Sequence, residues 1–253
     1  MTLSPDIMLA PQNALAIYDD LRVEVIHATG IDGARHARGI AIVIDVLRSF
    51  TVSAYALAGG ARECRLVTTT QEALALTAAI PGALVSAEED GLPIPGIAIS
   101  NSPTQIKAAD VKGRVLVQRS SAGTQVAAAV AEGIDIFAAS LVVARATVQA
   151  CLLRRPSPTH LTFIASADHP EDHACARYME AIIRGEKPDA DRLLQPLRES
   201  ERYKRLMNGA TPGFPPTDLE LALTPDRFNF AMPATRETGH LRLTKSDQTN
   251  TRS

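Results

Sequence analysis

Asp45 stands directly after the apolar run Ile42-Val43-Ile44 and three residues before Arg48. An ionised carboxylate at the end of such a run is costly to bury alone, so it calls for a cation. Arg48 or a divalent metal would supply one. Equally, Asp45 would cap the helix that begins near Ser49, with Arg48 as a surface partner. A second acidic stretch, Glu88-Glu89-Asp90, follows another apolar run. A third, Glu171-Asp172, follows Pro170. Proline and acids in this order are ordinary helix-start residues that complement the helix dipole. Two or three such carboxylates meeting at one place would form an oxygen-rich site suited to Mg²⁺. Arg119 to Thr124 reads RSSAGT, a strand-to-helix turn built on Gly123. Backbone N–H groups at such a turn, here with the Ser121 and Thr124 hydroxyls, can bind phosphate. Ser140 adds a further hydroxyl after the next apolar run.

These residues share one kind of position. Short β-branched runs at 23–27, 40–44, 65–67, 84–86, 114–118, 134–138 and 161–165 alternate with helical stretches at 50–58, 71–79, 125–131, 144–153 and 170–184. The alternation predicts an α/β fold with three layers, α/β/α, around a mostly parallel, mixed sheet. The runs are continuously apolar, as expected of strands covered on both faces. In open sheets of this kind ligands bind beyond the carboxyl ends of the strands. Asp45, Glu88, the RSSAGT turn, Ser140 and Glu171-Asp172 all follow a predicted strand. A charged helical stretch at 188–207, broken at Pro196, closes the pattern. One domain over 1–245 is expected, with a polar, fraying tail over 246–253.

Composition narrows the function. Lys and Arg total 26 against 28 Asp and Glu, a formal charge of −2. That leaves no bulk positive field for nucleic acid or for an anionic membrane surface. No apolar run approaches the ~20 residues that span a bilayer, and residues 1–10 lack the basic lead and apolar stretch of a secretory signal. Cys64, Cys151 and Cys175 have no metal-site spacing and read as small buried side chains. The cytoplasm is the expected compartment, and a homo-oligomer stays open. The chain contains no Cys-x₅-Arg loop, no second Asp two residues after Asp45, no P-loop and no G-x-G-x-x-G fingerprint.

In order along the chain, IVIDVLRSFT (42–51), AEEDGLPIPGIAISNSP (87–103), RSSAGTQ (119–125), SLVVA (140–144), EDHACA (171–176), Asp226-Arg227-Phe228 and Met232-Pro233 resemble the 2-phosphosulfolactate phosphatases. The resemblance spans about 40–233. It implies an α/β/α fold and Mg²⁺-dependent hydrolysis of phosphate from 2-phospho-3-sulfolactate, a step toward coenzyme M. It further implies that Asp45 and Asp172, with Glu88 or Glu171, hold Mg²⁺. Arg48 would bind phosphate with Ser49 nearby, and the turn at Ser121, Gly123 and Thr124 would offer donors to it. Arg119 or Arg145 would neutralise the substrate's carboxylate or sulfonate. The chain departs from the family pattern at Ala87, at Glu89, at Ala98, where an Asp is usual, and at Ala122, Val143 and Arg177. Those departures motivate two alternatives: a ligand-binding homologue without catalysis, and a phosphatase for another phosphorylated hydroxy acid.

Overall fold

The computed structural model describes residues 23–247, which leaves the signal-peptide expectation for residues 1–10 outside the described residues. Strand β1 (Glu24–Thr29) and helix α1 (Gly30–Arg35) lead into β2 (Ile40–Ile44). Next come α2 (Ser49–Ala58), β3 (Glu63–Leu66), α3 (Thr70–Ala79), β4 (Leu84–Glu89) and the two-residue β5 (Leu92–Pro93). They are followed by α4 (Pro103–Ala108), β6 (Val115–Arg119), α5 (Gly123–Ala129), β7 (Asp135–Ala139) and, after a 3₁₀ turn, α6 (Ala144–Leu152). The chain continues through β8 (His160–Ala165), α7 (Pro170–Ile183), α8 (Ala190–Arg198), α9 (Glu201–Met207) and α10 (Thr217–Ala222). It ends in β9 (Phe230–Glu237), β10 (His240–Leu243) and β11 (Ser246–Asp247).

The fold is α/β, with one large, mostly parallel, mixed sheet ordered β1-β8-β2-β7-β9-β10-β3-β6-β4-β5, and β11 paired with β9. All five residues of β2 are buried because the strand lies between β7 and β8 and is covered on both faces. Ala41 and Val43 join a core with Phe50 of α2 and Val126 of α5. Ile42 and Ile44 join another with Val148 of α6 and Met179 of α7.

The pairing of β7 with β9, β9 with β10 and β10 with β3 is antiparallel at each step. Three reversals leave β3, β6 and β4 running opposite to β1, β8, β2 and β7. A flat sheet would therefore put the ends of β6 and β2 on opposite edges, against the single edge expected from the sequence. The chain closes this gap by curling. α2 packs on both β3 and β7, α5 packs on β2 and β10, and one core joins β2 to Cys64 of β3 and Leu116 of β6. The ends of β2, β4 and β6 thereby converge around the starts of α2 and α5.

The late hairpin β9–β10 and the short helices α1, α4 and α10 lie outside the strand–helix alternation of the sequence. α8 runs through Pro196 instead of breaking there. The proline sits on the exposed face, where water can take the carbonyl it leaves unpaired. The chain turns at Ser200, which caps α9 by accepting from the Tyr203 amide. Ser246 and Asp247, expected in the fraying tail, instead pair with Ala231 and Phe230, continuing along β9 in the register set by β10.

Candidate active site

Asp45 lies one residue beyond β2, and its amide still donates to the Ala139 carbonyl, continuing the ladder at 3.1 Å. Its carboxylate bridges two helix starts. Oδ1 accepts from the Ser49 amide of α2 at 2.9 Å, and Oδ2 from the Gly123 amide of α5 at 3.0 Å. Gly123 is required by space: a Cβ there would lie 2.6 Å from Asp45 Oδ2 and 3.0 Å from Ser49 Cβ.

Glu88, still within β4, takes the neighbouring donors of the same turn. Its carboxylate accepts from the Ser121 amide and hydroxyl and from the Gly91 amide. Thr124 and Ser120 bond each other, amide to hydroxyl, in both directions. The turn expected to offer its N–H groups to phosphate therefore spends those of Ser121, Gly123 and Thr124 on the protein's own oxygens. The reason is geometric: the curled sheet brings two strand-end carboxylates onto it.

The four carboxylates expected to hold a metal divide into two pairs. Asp45 and Glu88 line a cleft of about 370 Å³. Asp172 and Glu171 are buried and lie outside that lining. Asp172 accepts from the Val46 amide at 2.8 Å and the Ser166 hydroxyl at 3.0 Å, fixing the backbone that carries Asp45. Glu171 faces Arg202 of α9 at 3.1 Å, and neither of its oxygens accepts a hydrogen bond among the described residues. Among the described residues no three His, Cys, Asp or Glu side chains form a metal-holding group.

The electrostatics are those of an acid cluster short of positive charge. Burial pushes Asp45 up to about 6 against the Ser49 and Gly123 amides, and the field of Glu88 adds to the rise. Burial, then Asp45 and Glu171, hold Asp172 well above the usual carboxylate range. Glu171 is raised by burial and pulled back by Arg202.

Arg48 reaches the cleft but does not pair with Asp45. Its Nη1 donates to Asp218 Oδ2 of α10 and to the Gly213 carbonyl, both at 2.7 Å, and its guanidinium lies 4.2 Å from the centre of the Phe214 ring. Asp218 is fully buried and also accepts from the Ser102 hydroxyl and the Thr104 amide, tying α10 to the start of α4. Burial lowers Arg48 and Asp218 supports its charge. Asp45 thus caps α2 while Arg48 turns to a partner far along the chain.

Ser121 lines the cleft; Ser49 and Thr124 are buried behind it. Arg119 donates to the Glu88 carbonyl, the Ser121 hydroxyl and the Thr68 carbonyl, and does not line the cleft. Arg145 pairs with Asp226 at 3.1 Å, and Asp226 also accepts from the Tyr178 hydroxyl. Ser140 is fully buried with no partner for its hydroxyl among the described residues. Neither Arg145 nor Ser140 lines the cleft, because the loop carrying Asp226 docks on the start of α6 and draws Arg145 away. His173 is paired with Asp168 at 2.8 Å.

Asn101, within the 87–103 stretch, and His169, at the end of a predicted strand, line the cleft, as do Ser166, Arg202 and Phe214, which the sequence did not single out. Asn101 carried a signal, since its left-handed φ of 56° suits asparagine. Arg202 carried none, because a charged helix reads as solvated surface. Of the six departures, Ala122 alone lines the cleft; Glu89, Ala98 and Arg177 are exposed and Ala87 and Val143 are buried.

The family model described as 2-phosphosulpholactate phosphatase matches residues 28–232. A Bacillus subtilis protein named a probable 2-phosphosulfolactate phosphatase is 35% identical over 149 residues, 58% of this chain and 64% of that protein. A Deinococcus radiodurans protein of the same name is 37% identical over 118 residues, covering 46% and 49% of the two chains. One from Thermoplasma acidophilum is 27% identical over 194 residues, 75% of this chain and 83% of the relative. The first two matches thus span about half to just under two thirds of the relatives' lengths. With the family model covering most of the chain and running through Asp45, Glu88 and Asp172, this protein belongs to the 2-phosphosulpholactate phosphatase family.

Proposed function

We propose that the cleft binds a small phosphorylated acid and releases its phosphate with the help of Mg²⁺. The observation that carries this reading is the placement of Asp45 and Glu88 side by side on a cleft that also presents Arg48. The names of the relatives point to 2-phospho-3-sulfolactate as the substrate. A volume of about 370 Å³ suits a small metabolite, being near the lower end of ligand-site sizes.

The donor set fits Mg²⁺. Asp45 and Glu88 offer hard oxygens, and Mg²⁺ commonly uses one or two carboxylates while water and substrate phosphate fill its other positions. Asp45 lies in the field of Glu88, so a divalent cation held by these residues would relieve a repulsion already built in. When bound, the ion would supply charge neutralisation at a phosphoryl oxygen.

The chain's own residues do the rest. Arg48, held by Asp218 and by the face of Phe214, presents a fixed guanidinium for charge-assisted bonds to phosphate. The Asn101 side-chain amide donates from the cleft wall, while the Ser121 and Ser166 hydroxyls, whose protons go to Glu88 and Asp172, hold those carboxylates in place. Asp172 holds the Val46 amide and so fixes the bend that aims Asp45. Phosphoryl transfer runs largely on positioning and electrostatics, which such a rigid frame provides.

The test is phosphate release from 2-phospho-3-sulfolactate, 2-phospholactate and isopropyl phosphate, with Mg²⁺ added or chelated. Release that needs Mg²⁺ is expected from at least one phosphorylated acid. Saturable binding without release in either condition would favour the ligand-binding homologue.

A further inference from the structure

We propose that Arg202 reads a second anionic group on the substrate, so that the cleft selects phosphorylated acids over phosphorylated alcohols. The proposal rests on the proposed function only in taking the bound molecule to carry a phosphoryl group.

The arginines around the site are not equivalent. Arg119 is spent on the Glu88 and Thr68 carbonyls and the Ser121 hydroxyl. Arg145 is spent on Asp226. Arg48 is held by Asp218 and Gly213. Arg202 differs. It lines the cleft with its side chain a quarter exposed, and its charged partner is Glu171 at 3.1 Å. Its Nη1 is buried and has no hydrogen-bond partner among the described residues. A guanidinium carries five donors in a fixed fork, and most of this fork is unmatched.

The position is as specific as the chemistry. The same cleft gathers three acids, Asp45, Glu88 and Asp90, with Arg202, His169 and Leu206. A small molecule whose phosphate is drawn to a cation at the acids has Arg202 within that cleft. A carboxylate or sulfonate there meets a planar donor able to bind two oxygens at once. Glu171 is 1% exposed and holds the guanidinium's charge beside the cleft at 3.1 Å. α9 thus supplies a recognition element on a segment that reads in the sequence as a solvated, charged helix.

The test compares 2-phospholactate with isopropyl phosphate, which keeps the phosphate and replaces the carboxylate by a methyl group. Kd is measured by calorimetry in Mg²⁺ buffer, and KM wherever phosphate is released. The wild-type protein is expected to bind the acid at least tenfold more tightly. Arg202→Met should bring the two within about threefold by weakening the acid alone, leaving isopropyl phosphate within about twofold of wild type. Arg202→Lys, which keeps the charge but not the fork, should retain part of the preference and also guards against a folding defect in the Met variant. A preference retained by Arg202→Met, or a wild-type protein that binds both probes equally or neither, overturns the proposal. Selective binding that depends on Arg202 without any phosphate release would leave Arg202 in place and remove the phosphatase reading instead.

Discussion

The Gly123 amide donates to Asp45 Oδ2 across two strand ends that belong to oppositely directed halves of one sheet. This bond, with that from Ser121 to Glu88, makes the start of α5 a seat for two carboxylates. Gly123→Ala would push a methyl group to 2.6 Å from Asp45 Oδ2. The expected result is at least a tenfold loss of Mg²⁺-dependent turnover, with a lowered unfolding midpoint. Wild-type turnover in this variant would show that the Asp45 carboxylate is not held where catalysis needs it.

Asp45→Asn should cut turnover at least tenfold, because the amide cannot hold a cation as the carboxylate does. Thermal unfolding without Mg²⁺ should be nearly unchanged, since the variant also removes a charge from an acid cluster. A large loss of stability would recast Asp45 as a structural cap.

Asp218→Ala leaves Arg48 buried without its carboxylate. Removing one partner of a buried ion pair costs about 3–5 kcal/mol, so chemical denaturation should show a loss of that order. A loss below about 1 kcal/mol would mean that Gly213 and Phe214 alone hold the guanidinium.

The pH dependence follows from the raised carboxyl groups. Asp45 rises from an ordinary 3.8 to about 6 in the folded protein. Between those values the folded state binds the extra proton, so this group's contribution to stability falls as pH rises. The metal-free protein should lose stability from pH 4 to pH 7 through Asp45, with Asp172 and Glu171 acting in the same direction. Mg²⁺ should restore more stability at pH 7 than at pH 5, where it competes with protons. Unfolding midpoints with and without chelator check this. A Mg²⁺ effect independent of pH would contradict it.

The sequence exposed the strands and the site acids for one reason. Ile42-Val43-Ile44-Asp45 announces a buried strand ending in a functional group, because the local pattern carries both facts. Glu88 and the RSSAGT turn were legible in the same way. The partner of Arg48 was not, because Asp218 is distant in sequence and lies in a short, unremarkable helix. The reversal of β3, β6 and β4 was equally hidden, since it depends on the late β9–β10 hairpin inserting between β7 and β3, strands far from it along the chain. Arg202 was masked by its own helix, whose charge reads as solvation until α9 is seen beside Glu171.

The central claim is that Asp45 and Glu88 hold one divalent cation together at the cleft. Titration of Mn²⁺ into the protein, followed by electron paramagnetic resonance, tests it without reference to turnover. The account predicts one tight site per chain in the wild type, displaced by Mg²⁺ and weakened at least tenfold in both Asp45→Asn and Glu88→Gln. Undiminished Mn²⁺ binding in either variant would contradict it.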